Sequence, residues 1–153
     1  MKARRGILDK VKLANALSFS NVSLGRRKSD TFIVNFVDRK AYSADFSFKP
    51  QDDYHAIEYY DDLVEDMNTV YGTGESTKKY TSPASESDKN QMGDLLTGGA
   101  EYTTVWRAAN DNLIVATIRK TDDDDLVIDL SYIDYTLAGK ADEKQQSKEK
   151  GDL

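Results

Sequence analysis

The stretch DDYHAIEYYDDLVEDMNTVYG, residues 52–72, decides the fold. Ala56, Ile57, Tyr60, Leu63, Val64, Met67, Val70 and Tyr71 recur at three-to-four spacing, which predicts one buried helical face. Asp52 or Asp53, just after Pro50, can cap the start, and Gly72 supplies a left-handed stop. Glu58, Asp61, Asp62, Glu65 and Asp66 fall on the other side with no Lys or Arg among them. An acidic helix with an apolar stripe needs an apolar partner, and the flanking segments supply one by alternating as strands do.

Residues 31–37 are a β-branched and aromatic run. Residues 42–48 alternate, with Tyr42, Ala44, Phe46 and Phe48 on one face and Ser43, Asp45 and Ser47 on the other, so residues 38–41 close a hairpin. Downstream, residues 102–108, 113–119 and 126–135 form a meander in which Leu126, Ile128, Leu130 and Tyr132 face one way and Asp129 and Ser131 the other. The expected fold is α+β: a mainly antiparallel sheet of five to six strands with one long and one or two short helices packed on one face. Residues 17–138 form the single domain, in which 17–24 is an edge strand at most, 25–30 a loop, 73–87 a long loop and 88–96 a short helix capped by Ser87. Residues 1–16 are a basic arm or a short helix with Ile7, Leu8, Val11 and Ala14 on one side, and residues 139–153 are a disordered polar tail.

A length of 153 residues suits one domain, with apolar residues at 39% and charged ones at 31%. The absence of cysteine excludes disulfides, thiolate zinc sites and cysteine nucleophiles. No run of eighteen apolar residues exists, so no transmembrane segment is expected. Met1-Lys2-Ala3-Arg4-Arg5 is like the charged front of a signal peptide, but Asp9, Lys10, Lys12 and Asn15 interrupt the hydrophobic region that should follow. The expected location is cytoplasmic as written, and exported or lipid-anchored if an N-terminal signal was removed.

The net charge of −6 hides an asymmetry: residues 1–40 hold ten Lys or Arg against three Asp or Glu, and residues 41–139 hold seven against twenty. Either the halves neutralise each other across the domain, or the basic segment serves an anionic partner. Arg26, Arg27 and Lys28, with Arg39 and Lys40 near Phe32, Phe36 and Tyr42, have the composition of a nucleic-acid patch. Against it, the aromatics of the alternating strand belong to the buried face and the acidic remainder repels phosphate, so nucleic acid is an unlikely partner.

His55 is the only imidazole, which excludes a two-histidine metal site within the chain and leaves it a surface or capping role. Asp122, Asp123, Asp124 and Asp125 lack the spacing and glycine of a calcium loop and suit a solvated hairpin turn. Gly72-Thr73-Gly74-Glu75-Ser76-Thr77-Lys78 has the ingredients of a phosphate loop, but its glycines close a helix instead of opening one. Tyr54 and Tyr59 fall off the buried helical stripe and Tyr80 sits in the long loop, which offers aromatics for protein or glycan contacts. Asn21-Val22-Ser23 is a formal glycosylation acceptor. No catalytic, cofactor-binding or metal-binding residue is assigned.

The run Tyr59-Tyr60-Asp61-Asp62-Leu63-Val64-Glu65-Asp66-Met67-Asn68-Thr69-Val70-Tyr71-Gly72 resembles the helix ending in Tyr-Gly of small uncharacterised α+β proteins of Bacteroides-type gut bacteria. The pattern continues through a polar loop, a strand bearing an aromatic like Trp106, a strand like residues 113–118 and a closing strand like residues 127–134, and so covers about residues 42–135. The resemblance implies export or lipid anchoring, which the front of this chain does not match, and it implies no established activity.

The expected function is a non-enzymatic module that binds a protein or surface ligand, as a monomer or homodimer. Its expected interaction surface is Asp61, Asp62, Glu65, Asp66, Tyr59 and Tyr80 with Arg26, Arg27 and Lys28. An acidic secretion-type chaperone is a variant that predicts a dimer with an apolar patch. The alternatives are a metal-dependent hydrolase built from carboxylates such as Asp129 and Asp134 with His55 or a tyrosine, and nucleic-acid binding through the basic N-terminal segment.

Overall fold

The computed structural model describes residues 3–4, 7–8, 15–80 and 91–151. In chain order the strands are β1 (Ala3–Arg4), β2 (Ile7–Leu8), β3 (Ala16–Ser20), β4 (Ser23–Leu24), β5 (Arg27–Lys28), β6 (Thr31–Val37) and β7 (Lys40–Phe48). After the long helix α1 (Ala56–Tyr71) come β8 (Glu75–Tyr80), helix α2 (Gln91–Leu96), β9 (Ala100–Arg107), β10 (Asn112–Lys120), β11 (Leu126–Asp134) and helix α3 (Tyr135–Gly151). The main sheet runs β2-β3-β6-β7-β11-β10-β9-β8, antiparallel throughout, and β1-β4-β5 form a small second sheet. The α+β class and the antiparallel sheet agree with the sequence reading.

The period-two pattern decides which face is covered. Phe46 and Phe48 of β7, Ile114, Ala116 and Ile118 of β10, Ile128 and Leu130 of β11, and Tyr102 and Trp106 of β9 are buried on one face. They meet Ala56, Tyr60, Leu63 and Met67 of α1 and Leu95 of α2. Tyr71, Ile57 and Val64 pack at the margin of this core, but Val70, expected on the same stripe, is 54% exposed. The opposite face carries hydrogen-bonded polar side chains. Asn35 Nδ2 donates to Ser43 Oγ (2.8 Å) and Asp45 Oδ2 (2.9 Å), while Ser47 Oγ donates to Asp129 Oδ1 (2.6 Å).

Hairpin turns follow their residue chemistry. Asp38 and Arg39, with φ of 49° and 62°, join Val37 to Lys40, and Asn110 and Asp111 take positive φ between β9 and β10. The aspartate run turns between β10 and β11, where Asp124 has φ 69° and pairs with Lys120 (2.8 Å) while Asp125 pairs with Lys49 (3.5 Å).

Four expectations change. The helix read over residues 1–16 gives way, where the chain is described, to strands: Ala3 pairs with Leu24 and Ile7 with Ser20, because sheet edges supply the backbone partners. Residues 16–20 lie inside the main sheet, between β2 and β6. The loop over 73–87 contains β8, an edge strand whose side chains from Glu75 to Lys79 are exposed, so it shows no alternation to read. Its remainder, and the first residues of the short helix, lie outside the described residues. The tail from 139 continues as α3, which needs no apolar face because Ala, Glu, Lys and Gln favour helix intrinsically and Asp134 Oδ1 accepts the Leu137 N–H (3.0 Å) at its start. With these additions the main sheet has eight strands instead of five or six.

Among the described residues, no helix is long and apolar enough to cross a membrane.

Candidate functional site

The basic and acidic residues singled out in the sequence meet each other. Gly25, with φ 60°, turns β4 back along β5 and places the Arg26-Arg27-Lys28 segment against α1. Arg27 donates to Asp66 Oδ2 at 2.5 Å, and Arg26 lies 3.8 Å from the same oxygen. The Arg27 guanidinium also sits 5.7 Å from the centre of the Tyr59 ring, which packs on Phe48. The Arg27 side chain is only 11% exposed. Asp62 and Lys28 border the same shallow groove. The charge asymmetry between the two parts of the chain is therefore partly neutralised inside the domain.

The other predicted surface residues lie apart from this contact. Asp61 is on the β8 side of α1, where partial burial raises its carboxyl pKa, Lys78 opposes the rise and Asp62 adds to it. Glu65 is exposed on α1. Tyr80 lies in β8, opposite Ala100, and packs against the core instead of projecting from a loop. Tyr54 is 80% exposed.

The glycine-rich segment after α1 is a structural lock. Asn68 Oδ1 accepts from the Trp106 indole Nε1–H (2.8 Å) and from the Gly74 N–H (3.0 Å). A Cβ on Gly74 would lie 2.7 Å from both the Trp106 ring and the Thr104 methyl, so glycine is required by close approach. Beside it, the buried Thr104 hydroxyl meets Tyr60 (2.7 Å) and Ser76 (2.9 Å).

The carboxylates of the hydrolase alternative are dispersed. Asp129 is held by Ser47 and by Arg119 (3.4 Å) on the sheet face away from α1, Asp134 caps α3, and His55 Nδ1 is 2.7 Å from Asp52 at the start of α1. Among the described residues no three His, Asp or Glu side chains gather as a metal-binding group.

Buried side-chain atoms without a hydrogen-bond partner among the described residues occur at Asp94 of α2 and Tyr102 of β9, and, as a pair, at the end of the sheet beyond the C-terminus of α1. There β7 and β11 stay paired from Phe48 and Ile128 to Ser43 and Ile133, and then part. The cause is a bulge: Asn35 pairs with Ser43 and Phe36 with Ala41, so Tyr42 is an extra residue and β7 bends away along β6. The gap is a cleft of about 400 Å3, lined by Tyr42, Ser43 and Ala44 of β7, Tyr71 of α1, Ala108, Asn112 and Ile114 near the β9–β10 turn, and Tyr132 to Asp134 of β11. Two of its lining atoms, Asn112 Oδ1 and the Tyr132 hydroxyl, are buried without a hydrogen-bond partner among the described residues. Burial drives the Tyr132 pKa far upward, and the adjacent Tyr71 phenol, close enough to interact with the Tyr132 hydroxyl, adds to the rise, although no hydrogen bond of ordinary geometry joins the two.

Asn112 stands where the buried face of β10 would otherwise carry an apolar residue, two before Ile114 and four before Ala116. That break in the alternation is the signal in the sequence that points to the cleft. A second cavity, beside Asn35, Asp38, Tyr42 and Lys148, lies under α3 and is bordered by the Lys144–Asp38 ion pair.

No family model matches the chain, and neither a curated protein nor a solved structure matches it.

Proposed function

We propose that the chain is a non-enzymatic ligand-binding module whose site is the cleft between β7 and β11. The observation that carries this reading is the pair of buried, unpartnered polar atoms, Asn112 Oδ1 and the Tyr132 hydroxyl, at a cleft of about 400 Å3. Leaving a buried polar group unsatisfied costs about 1–3 kcal/mol, and a ligand that completes the bonds recovers that cost. The volume falls within the range of about 300–1,000 Å3 of small-molecule sites, and the mix of aromatic walls with a few polar groups is typical of them. The acidic helix face is a weaker candidate than it was in the sequence, because Asp66 already has Arg26 and Arg27 as partners.

The test is a thermal-shift screen of small molecules against the wild-type chain and against Ala44→Trp, which fills the cleft from a partly buried lining position. Compounds that raise the wild-type Tm and leave the variant unmoved support the reading. Equal shifts in both proteins, from a variant whose own far-UV circular dichroism matches wild type, would place binding elsewhere and overturn it.

A further inference from the structure

Resting on that reading of the cleft, we propose that its ligand is an organic cation bearing N–H donors, an alkyl- or arylammonium group. Among the described lining residues the one charged side chain is a carboxylate, Asp134, and beside it lies an unpartnered acceptor oxygen. Asn112 Oδ1 can only accept, and it lacks a donor among the described residues. Asp134 pairs directly with Asn112 in the β10–β11 register, so its carboxylate stands on the same side of the sheet, one Oδ1 bond already committed to the Leu137 N–H. Tyr42, Tyr71 and Tyr132 border the space with aromatic rings, whose faces attract cations. Tyr71 is the last residue of α1, a helix with no basic residue in its last turn, so its free carbonyls turn their negative end toward this rim.

Among the described residues no Lys or Arg lines the cleft. A carboxylate or phosphate would therefore enter beside the Asp134 carboxylate with no countercharge, at a large desolvation cost. A neutral alcohol can donate one hydrogen bond but leaves the carboxylate and the ring faces without a cation. An ammonium group donates up to three, enough for Asn112 Oδ1, the Tyr132 oxygen and the carboxylate, while its apolar body meets Ala44 and Ile114. The Tyr132 hydroxyl stays protonated near neutral pH, so its oxygen accepts as a neutral phenol.

The probes are benzylammonium, benzyl alcohol and benzoate, titrated into the 15N-labelled full chain at neutral pH while amide shifts are followed. Benzylammonium is expected to move residues 41–44, 112–114 and 132–134 and to bind about tenfold or more tightly than the alcohol, with no shift from benzoate. Asn112→Leu, close in shape and free of the unpartnered oxygen, is expected to keep its Tm and lose about tenfold in affinity for benzylammonium. Equal or tighter binding of benzyl alcohol or benzoate at the same amides would overturn the cation assignment and leave the cleft as a binding site. Unmoved cleft amides with all three probes would also overturn it, and the cleft itself falls only if the thermal screen finds no compound sensitive to Ala44→Trp.

Discussion

Gly74 and Asn68 tie the end of α1 to the sheet, and their chemistry predicts what breaks the tie. Gly74→Ala places a methyl where the Trp106 ring and the Thr104 methyl already are, and overpacking of this kind costs about 1–3 kcal/mol. Asn68→Leu removes the one oxygen that serves both the indole N–H and the Gly74 N–H and leaves two donors to find water, at about 1–3 kcal/mol. Urea unfolding of each variant checks both figures, and their double mutant should fall short of additivity because the two residues share one contact. Little of this was legible beforehand. The Tyr-Gly-Thr-Gly run announced a helix stop, but the approach of Trp106, thirty-two residues after Gly74, is a property of the folded chain.

At the scale of elements, a periodic pattern was visible wherever one side of an element is buried and the other is wet. The long helix and the hairpins at 31–48 and 102–135 therefore came through directly. β8 and α3 did not, because neither has a strongly buried side to write into the sequence. That difference has a measurable consequence. A helix without a buried face relies on propensity, its cap and the Lys144–Asp38 pair, and seventeen residues are marginal for that alone. Amides of residues 140–151 are expected to exchange with solvent far faster than those of Leu63 to Met67 in α1, as a hydrogen-exchange series will show.

The contact between β5 and α1 belongs to the same scale. The residues on each side were legible as a basic loop and an acidic helix, but not as partners, since they are thirty-nine positions apart. Arg27→Ala is expected to cost about 1–3 kcal/mol through lost packing on Tyr59 and a lost charge-assisted bond. A double-mutant cycle with Asp66→Ala should return a coupling of about 1 kcal/mol or less, because Asp66 is 41% exposed and water screens it, and the coupling should shrink as salt is added.

For the whole molecule, charge and topology together say where a partner can act. Hydrogen bonding to Lys144 holds the Asp38 carboxyl below its ordinary value of 3.8, and hydrogen bonding to His55 does the same for Asp52. A depressed folded pKa adds stability that is present above the ordinary value and is lost as pH falls through the folded one. Melts taken from about pH 6 to about pH 2 should therefore show a shallower acid loss for the Asp38→Asn/Asp52→Asn variant than for wild type. The cleft was partly legible at this scale: a polar Asn112 in an apolar series marked the spot, while the bulge at Tyr42 that opens it depends on strand pairing.

Arg26 and Arg27 are engaged with Asp66, and the proposed binding site lies where β7 and β11 separate. One 15N–1H correlation map of the full chain, titrated with a compound chosen by the thermal screen, tests both parts together. Shifts confined to residues 41–44, 71, 112–114 and 132–134, with residues 26–28 and 61–66 unmoved, are the predicted result. Shifts centred on residues 26–28 and 61–66, with the cleft silent, would contradict it.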